Sequence, residues 1–218
     1  MSILTIFLLI LPLIDLTTSQ IPNPIRYRLN VGDRARYAVD KYRWRLSSKI
    51  YAADEDPTSV AKTQEIYIPR EGRTYSFKLG TSNPCIVNRG AFLDYIDYWG
   101  GVIKSWGGEN RTYDKIIKDP DCNGACLTWF QEKNETAYTH SNYQYRLYVR
   151  KADSTPIKTV TKQYDLTTGD LISTTITRYT LWDLSEIPDS KYEFPADPQK
   201  DAPLFLVSYS TQINYLRF

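Results

Sequence analysis

From about Arg34 onward, apolar and polar residues alternate with a period of two, and this pattern constrains the chain more than any other feature. Tyr42, Trp44 and Leu46 alternate with Lys41, Arg43 and Arg45. Ile66 and Ile68 sit between Glu65, Tyr67 and Pro69, and Tyr75, Phe77 and Leu79 alternate with Thr74, Ser76 and Lys78. Farther on, Tyr143, Tyr145, Leu147 and Val149 alternate with Gln144, Arg146 and Arg150. Two more strands fit Pro156 to Tyr164 and Leu171 to Trp182. They are joined by Asp165-Leu166-Thr167-Thr168-Gly169-Asp170, a hairpin turn with Gly at the position that needs positive φ. Short polar connections between such strands imply an antiparallel meander. There is no regular alternation with helices, which argues against a parallel α/β sheet.

One stretch departs from this period. Phe92, Tyr95, Ile96, Trp99, Val102, Ile103 and Trp106 recur at spacings of three and four, with Asp94, Asp97, Lys104 and Ser105 opposite. This is the apolar stripe of an amphipathic helix. Gly100-Gly101 in its middle costs about 1 kcal/mol per residue relative to Ala, so a kink or split is expected there. The stripe fits ordinary core packing equally well.

At the amino terminus, the apolar run from Ile3 to Leu13 is followed by Thr17, Thr18 and Ser19. An apolar core followed by small residues reads as a secretory signal peptide, residues 1–19, cleaved near Ser19. A run of about 12 apolar residues falls short of the roughly 20 that cross a bilayer. No later segment is long and apolar enough to span one. Residues 20–218 then suit a single β-rich domain. Two sequons, at Asn110 and Asn134, agree with secretion.

Three cysteines, Cys85, Cys122 and Cys126, imply outside the cell one bridge and one free or intermolecular thiol. Asn123-Gly124 can turn the chain tightly enough to join Cys122 to Cys126. A Cys85–Cys126 bridge would close a longer loop, and it is the pairing favoured here. Basic residues number 27 and acidic residues 25, a balance with no nucleic-acid footprint.

Nothing in the sequence carries catalytic chemistry. The one histidine, His140, sits in a polar stretch beside a sequon, where a surface role is expected. There is no Gly-x-Ser-x-Gly elbow, His-Glu-x-x-His or phosphate-cradling loop. Asp94 and Asp97 share a helical face but read as solvated. Asp119, Asp121 and Asn123 begin a calcium-like ligand pattern, yet the loop lacks the later glycine and bidentate glutamate. A zinc site would need more ligands than the cysteines and His140 supply. No cofactor is expected, and the protein is read as a non-enzyme.

Between Cys126 and Pro195 the chain carries Cys126-Leu127-Thr128-Trp129, the hairpin Asp165-Leu166-Thr167-Thr168-Gly169, Tyr179, and Ile187-Pro188-Asp189-Ser190-Lys191-Tyr192-Glu193-Phe194-Pro195. In these motifs it resembles the LolA-like superfamily of lipoprotein carriers and its secreted eukaryotic relatives, such as the ependymin-related proteins. The resemblance covers the last third of the mature chain; the earlier part agrees in strand order. It departs from the ependymin-related pattern in its smaller cysteine set. The resemblance implies a mainly β (α+β) fold, a curved antiparallel sheet forming an open half-barrel with one or two helices packed on its concave face. It further implies a secreted carrier that buries a lipid or other apolar small molecule. The cavity would be lined by Trp44, Leu46, Phe77, Leu79, Phe92, Ile96, Trp99, Ile103, Trp129 and Leu147. The alternative is an extracellular protein-interaction or inhibitor domain with a protein partner and no small ligand.

Overall fold

Six short strands follow one another as the alternation requires: β1 (Arg26–Val31), β2 (Ala35–Asp40), β3 (Arg45–Ile50), β4 (Thr63–Ile68), β5 (Arg73–Lys78) and β6 (Cys85–Arg89). Each pairs antiparallel with the one before it. The structure is a computed structural model of the chain and describes residues 20–51, 63–68, 72–78, 85–89, 97–108, 112–194 and 204–206. A helix, α1 (Tyr98–Ser105), leads to a second meander of β7 (Lys115–Asp119), β8 (Gly124–Glu135), β9 (Ser141–Arg150), β10 (Pro156–Asp165) and β11 (Leu171–Asp183). β11 then returns to β1 and pairs with it antiparallel, Leu29 opposite Trp182, with a bulge between Asn30 and Val31. The two meanders thereby form one sheet. β12 (Leu204–Leu206) adds a short parallel strand beside β6. The order is β12-β6-β5-β4-β3-β2-β1-β11-β10-β9-β8-β7, an open sheet with β12 and β7 at its edges. The fold is mainly β, as expected. Among the described residues no helix is long and apolar enough to cross a membrane.

Strand pairing assigns the faces. Tyr27 and Leu29 of β1, Tyr37 and Val39 of β2, Leu46 of β3 and Tyr67 of β4 point the same way through successive opposed pairs. Trp129, Leu147, Val149 and Tyr179 from the second meander join them in one buried cluster, which α1 completes with Trp99, Val102, Ile103 and Trp106. Tyr67 lies opposite Thr74, so Tyr75 and Phe77 fall on the other side of the sheet with Ile66. There they form a smaller cluster with Val87, against which the Phe194 ring packs at 4.9 Å from Tyr75 and 5.4 Å from Phe77.

The helix begins later than its apolar stripe and includes both glycines in its first turns without a break. Asp97 caps it, accepting from the Gly100 N–H at 3.1 Å. A Cβ on Gly100 would lie 2.4 Å from Asp97 Oδ2, so glycine belongs to the cap instead of weakening the helix. The Tyr27 hydroxyl donates to Asp97 Oδ1 at 2.6 Å and accepts from the Trp99 N–H at 3.0 Å. Lys41 Nζ reaches Asp97 Oδ2 at 3.0 Å, and the Trp99 indole donates to the Pro22 carbonyl at 2.6 Å. Burial first, and then the Asp97 carboxylate, hold the Tyr27 phenol well above its ordinary range, so it stays a donor.

Two local expectations change. Residues 41–44 form a turn where an unbroken strand was expected. The Arg43 N–H donates to Asp40 Oδ1 at 3.0 Å, and Trp44 has φ 53°. The β3 alternation starts only after this turn, which leaves Trp44 63% exposed and Tyr42 82% exposed. The disulfide joins Cys122 to Cys126, their Cα atoms 5.7 Å apart, where a Cys85–Cys126 bridge was favoured. Asn123 at φ 50° and Gly124 at φ 136° make the bend that closes this short loop. The Asp165–Asp170 hairpin follows expectation. Asp165 Oδ1 accepts from the Thr167 and Thr168 N–H groups at 2.7 and 2.9 Å, and Gly169 has φ 77°.

Trp99 is wholly buried and meets Tyr179 and Trp182 edge-on, with ring centroids 5.5 and 5.3 Å away. Trp99→Ala is therefore expected to cost about 3–5 kcal/mol in urea unfolding. A loss under 1 kcal/mol would mean that the indole is not a core side chain. The Cys122–Cys126 loop is short, so its entropic contribution is about 2 kcal/mol. Unfolding with and without a thiol reductant should differ by that amount, and peptide mapping should recover Cys122 linked to Cys126.

Candidate functional site

Of the ten side chains expected to line a cavity, five come together. Leu46, Trp99, Ile103, Trp129 and Leu147 are all buried in the large cluster between α1 and the sheet. They pack against one another as core. Trp44 stands in the β2–β3 turn facing solvent, outside that cluster. Phe77 is buried on the opposite face of the sheet, because β5 presents Tyr75 and Phe77 away from the side where Tyr67 points. Leu79, Phe92 and Ile96 lie outside the described residues, as do Asp94, Asn110 and the expected signal segment 1–19.

Three of the acidic residues singled out in the sequence have structural partners. Asp97 is the α1 cap. Asp119 and Asp121 both meet Lys158 Nζ, at 2.9 and 2.8 Å, so an ammonium occupies the space between the two carboxylates of the calcium-like pattern. Hydrogen bonding and charge from Lys158 hold Asp121 below the usual carboxylate range. His140 is exposed, at φ 46°, and its carbonyl accepts from the Leu166 N–H at 3.1 Å. Asn134 is exposed on β8 opposite Asn142. Two open depressions lie among the described residues. One, of about 600 Å³, lies beside α1 and is bordered by Asn23, Lys41, Ile103, Lys104 and the Gly107-Gly108 backbone. The other, of about 410 Å³, lies where Asn142 and Gln144 meet the Asp165–Gly169 turn. Among the described residues, Ile103 is the one expected lining residue that borders either.

The group that the sequence did not reveal is a polar row on the same sheet face as the large cluster. Ser48 on β3 lies opposite Glu65 on β4, which lies opposite Ser76 on β5. These residues are two positions along from Leu46, Tyr67 and Thr74, so all six share one face. Ser76 Oγ donates to Glu65 Oε1 at 3.1 Å. Ser48 and Thr74 are 0% and 2% exposed, and Ser48 Oγ and Thr74 Oγ1 have no hydrogen-bond partner among the described residues. Burial pushes the Glu65 carboxyl up, and the Ser76 hydrogen bond partly opposes this. The alternation of Ile66 and Ile68 assigned Glu65 to solvent, whereas Gln64, Ile66 and Tyr67 are buried, so β4 is covered on both faces. The only available signal was the tandem Ser47-Ser48, two small polar residues within one strand. Both are buried.

No protein-family model and no curated protein matches this chain.

A carboxyl with a raised folded pKa binds its proton more tightly in the native state. Its contribution to stability is full below the unfolded value of 4.5 and is lost as pH rises through the folded value. Asp121, Asp165, Asp183 and Asp189 are depressed, so their contribution is lost only as pH falls below their ordinary 3.8. Above about pH 4.5, therefore, Glu65→Gln should flatten the decline in melting temperature towards pH 7.5 relative to wild type. Parallel melting curves across that range would show that Glu65 is solvated.

Proposed function

We propose that this chain is a secreted, non-enzymatic binding protein that holds a lipid or other apolar ligand on the α1-bearing face of a curved half-barrel sheet. The observation that carries the reading is the reach of α1. Eight residues give a helix of about 12 Å. Tyr98 at one end stacks on Tyr37 of β2 at 4.9 Å, while the Ser105 carbonyl at the other accepts from Gln131 of β8 at 2.8 Å. Five strand steps separate β2 from β8, about 24 Å on a flat sheet. A sheet wrapped around the helix brings these contacts within reach. Curling is also the usual outcome for an open sheet of more than about 10 strands.

A wrapped sheet gives the helix-bearing face a concave, largely aromatic lining. Trp99 and its neighbours fill the middle of that lining, so the ligand lies to one side of α1, along β3 to β5, where Leu46 and Tyr67 adjoin the polar row. The driving force is burial of apolar ligand surface at about 25 cal/mol per Å². Secretion is supported by the amino-terminal apolar run, the Cys122–Cys126 bridge and the exposed Asn134 sequon. The lack of a nucleophile elbow or a partnered histidine in the sequence motivates the non-enzymatic reading.

One observation favours the alternative of an extracellular protein-interaction domain. Leu171, Ile172 and Ile176 of β11 are 45–54% exposed, an apolar edge of the kind that partners cover. Native mass spectrometry of the secreted protein, followed by organic extraction and lipid analysis, separates the two. A stoichiometric bound lipid is the expected result. A clean apo mass that stays unchanged with a fatty-acid and phospholipid panel would overturn the carrier reading in favour of the interaction domain.

A further inference from the structure

We propose that β11 pairs antiparallel with β11 of a second copy of this chain, across a two-fold axis at Thr174, so that the two copies share one continuous sheet. The pairing is independent of any bound ligand. β10 covers one edge of β11 from Leu171 to Arg178. β1 covers the other edge only from Tyr179 to Asp183, and the last contact there is the Gly32 N–H on the Arg178 carbonyl at 2.7 Å. Among the described residues nothing pairs with the β1-side edge of Leu171–Thr177. The stretch is bare on its faces as well, since residues 171–176 are all exposed, Leu171, Ile172 and Ile176 among them. An open strand edge is a row of unpaired N–H and C=O groups that templates a further strand, and proteins that keep such an edge in water guard it with charge or proline. Leu171–Thr177 contains neither.

The sequence of the stretch selects a second copy as its occupant. Backbone groups of successive strand residues point to opposite edges. The Arg178 carbonyl points to the β1 side, so those of Ile176 and Thr174 do too. With Thr174 opposite itself, Ile172 faces Ile176 of the copy on either side of the axis, and Ser173 faces Thr175. Ile172-Ser173-Thr174-Thr175-Ile176 is thus complementary to its own reverse, and Thr–Thr and Thr–Ser pairs favour antiparallel pairing. The β10 register skips Ile172, which leaves it without a cross-strand partner on that side. Charge agrees with this orientation. Asp170 stands at one end of the stretch and Arg178 at the other, so antiparallel copies bring unlike charges together at each end, and parallel copies would bring like ones. An axis at Thr175 would set Ile172 against Arg178 and lose the isoleucine match. Length agrees too, because Leu171–Thr177 is centred on Thr174, so each copy fills the open edge of the other as far as its Gly32 turn.

Residue 174 meets itself across the axis, so its charge reports the register. Sedimentation velocity of the full secreted chain from about 10 to about 300 µM should show a reversible dimer, as suits an interface at the small end of the range. Thr174→Lys and Thr174→Glu should each weaken self-association by about tenfold or more, since like charges directly opposite repel. An equimolar mixture of the two variants should restore the dimer, because only the mixed pair sets unlike charges on the axis. A wild type that stays monomeric throughout would overturn the inference and leave the edge to a different chain. Self-association undiminished in Thr174→Lys, or a mixture no more associated than its components, would equally overturn it. If the charged variants lose their near-UV circular dichroism, Thr174→Pro is read in their place. Its ring removes an N–H that points to the open edge, so the β10 ladder keeps its bonds while the second copy loses one. The dimer should be lost, and a dimer that persists in folded Thr174→Pro would overturn the proposal.

Discussion

The hydroxyl of Tyr27 accepts the Trp99 N–H and donates to the Asp97 carboxylate, and through it the helix is tied to the sheet. A helix of eight residues is not stable in water by itself, because its nucleation cost is repaid only by packing. The Tyr27 contact supplies a partner for one of the N–H groups that any helix leaves unpaired at its start. It also fixes the direction in which Trp99 points. The indole then lies against Tyr179 and Trp182 of β11, while Tyr27 itself stacks on Trp182 at 5.6 Å. β1 and β11 are the strands where the two meanders meet, so the helix sits on the seam that makes them a single sheet. On the reverse face the same pair of strands is joined by the Arg28–Asp183 ion pair.

The two meanders are finished differently on the face away from the helix. Residues 184–194 leave the end of β11 and run along the first meander. Glu186 meets Arg43 at 2.6 Å, Asp189 meets Arg45 at 2.6 Å, and Tyr192 lies under the Arg45 guanidinium at 4.5 Å from the ring centre. Phe194 closes the segment over Tyr75 and Phe77. Ion pairs this exposed contribute little each, so the apolar closure by Phe194 and the fully buried Ile187 carry most of the docking energy. The second meander has self-contained polar dressing on that face instead. Arg146 covers the Phe130 ring at 4.7 Å, and Lys158 joins Tyr148 to Asp119 and Asp121.

Strand existence was legible because period-two alternation is a local property, and β9, β10 and β11 lie close to where it put them. The helix was legible for the same reason, although its start was set by the Asp97 cap and its glycines turned out to suit that cap. Facing was less legible. Alternation states that neighbouring residues point to opposite sides; which side is the core depends on pairing with strands distant in sequence. Phe77 and Leu46 each head a clean apolar alternation, yet the register through β4 places them on opposite faces. Trp44 failed for a different reason. The buried Asp40 side chain holds a turn there, and side-chain capping of a turn leaves no trace in hydrophobic periodicity. The disulfide departs from the favoured Cys85–Cys126 pairing because the local bend at Asn123 and Gly124 brings Cys122 and Cys126 together.

Glu65 and its neighbours were invisible for a deeper reason, since a charged residue in an amphipathic strand defaults to solvent. The contrast with Asp97 is instructive. Both are acidic groups on the helix-bearing side of the sheet, and both accept from a hydroxyl. Asp97 also has Lys41 and the Gly100 N–H, so its network is complete and serves to fix the helix. Glu65 has Ser76 alone among the described residues, beside two hydroxyls that have none. In a low-dielectric interior a complete network rigidifies, whereas an incomplete one costs the full desolvation of each orphan group. The same face thus pins its helix with a carboxylate held from three sides and carries, three strands away, a largely buried carboxyl held by one serine among the described residues.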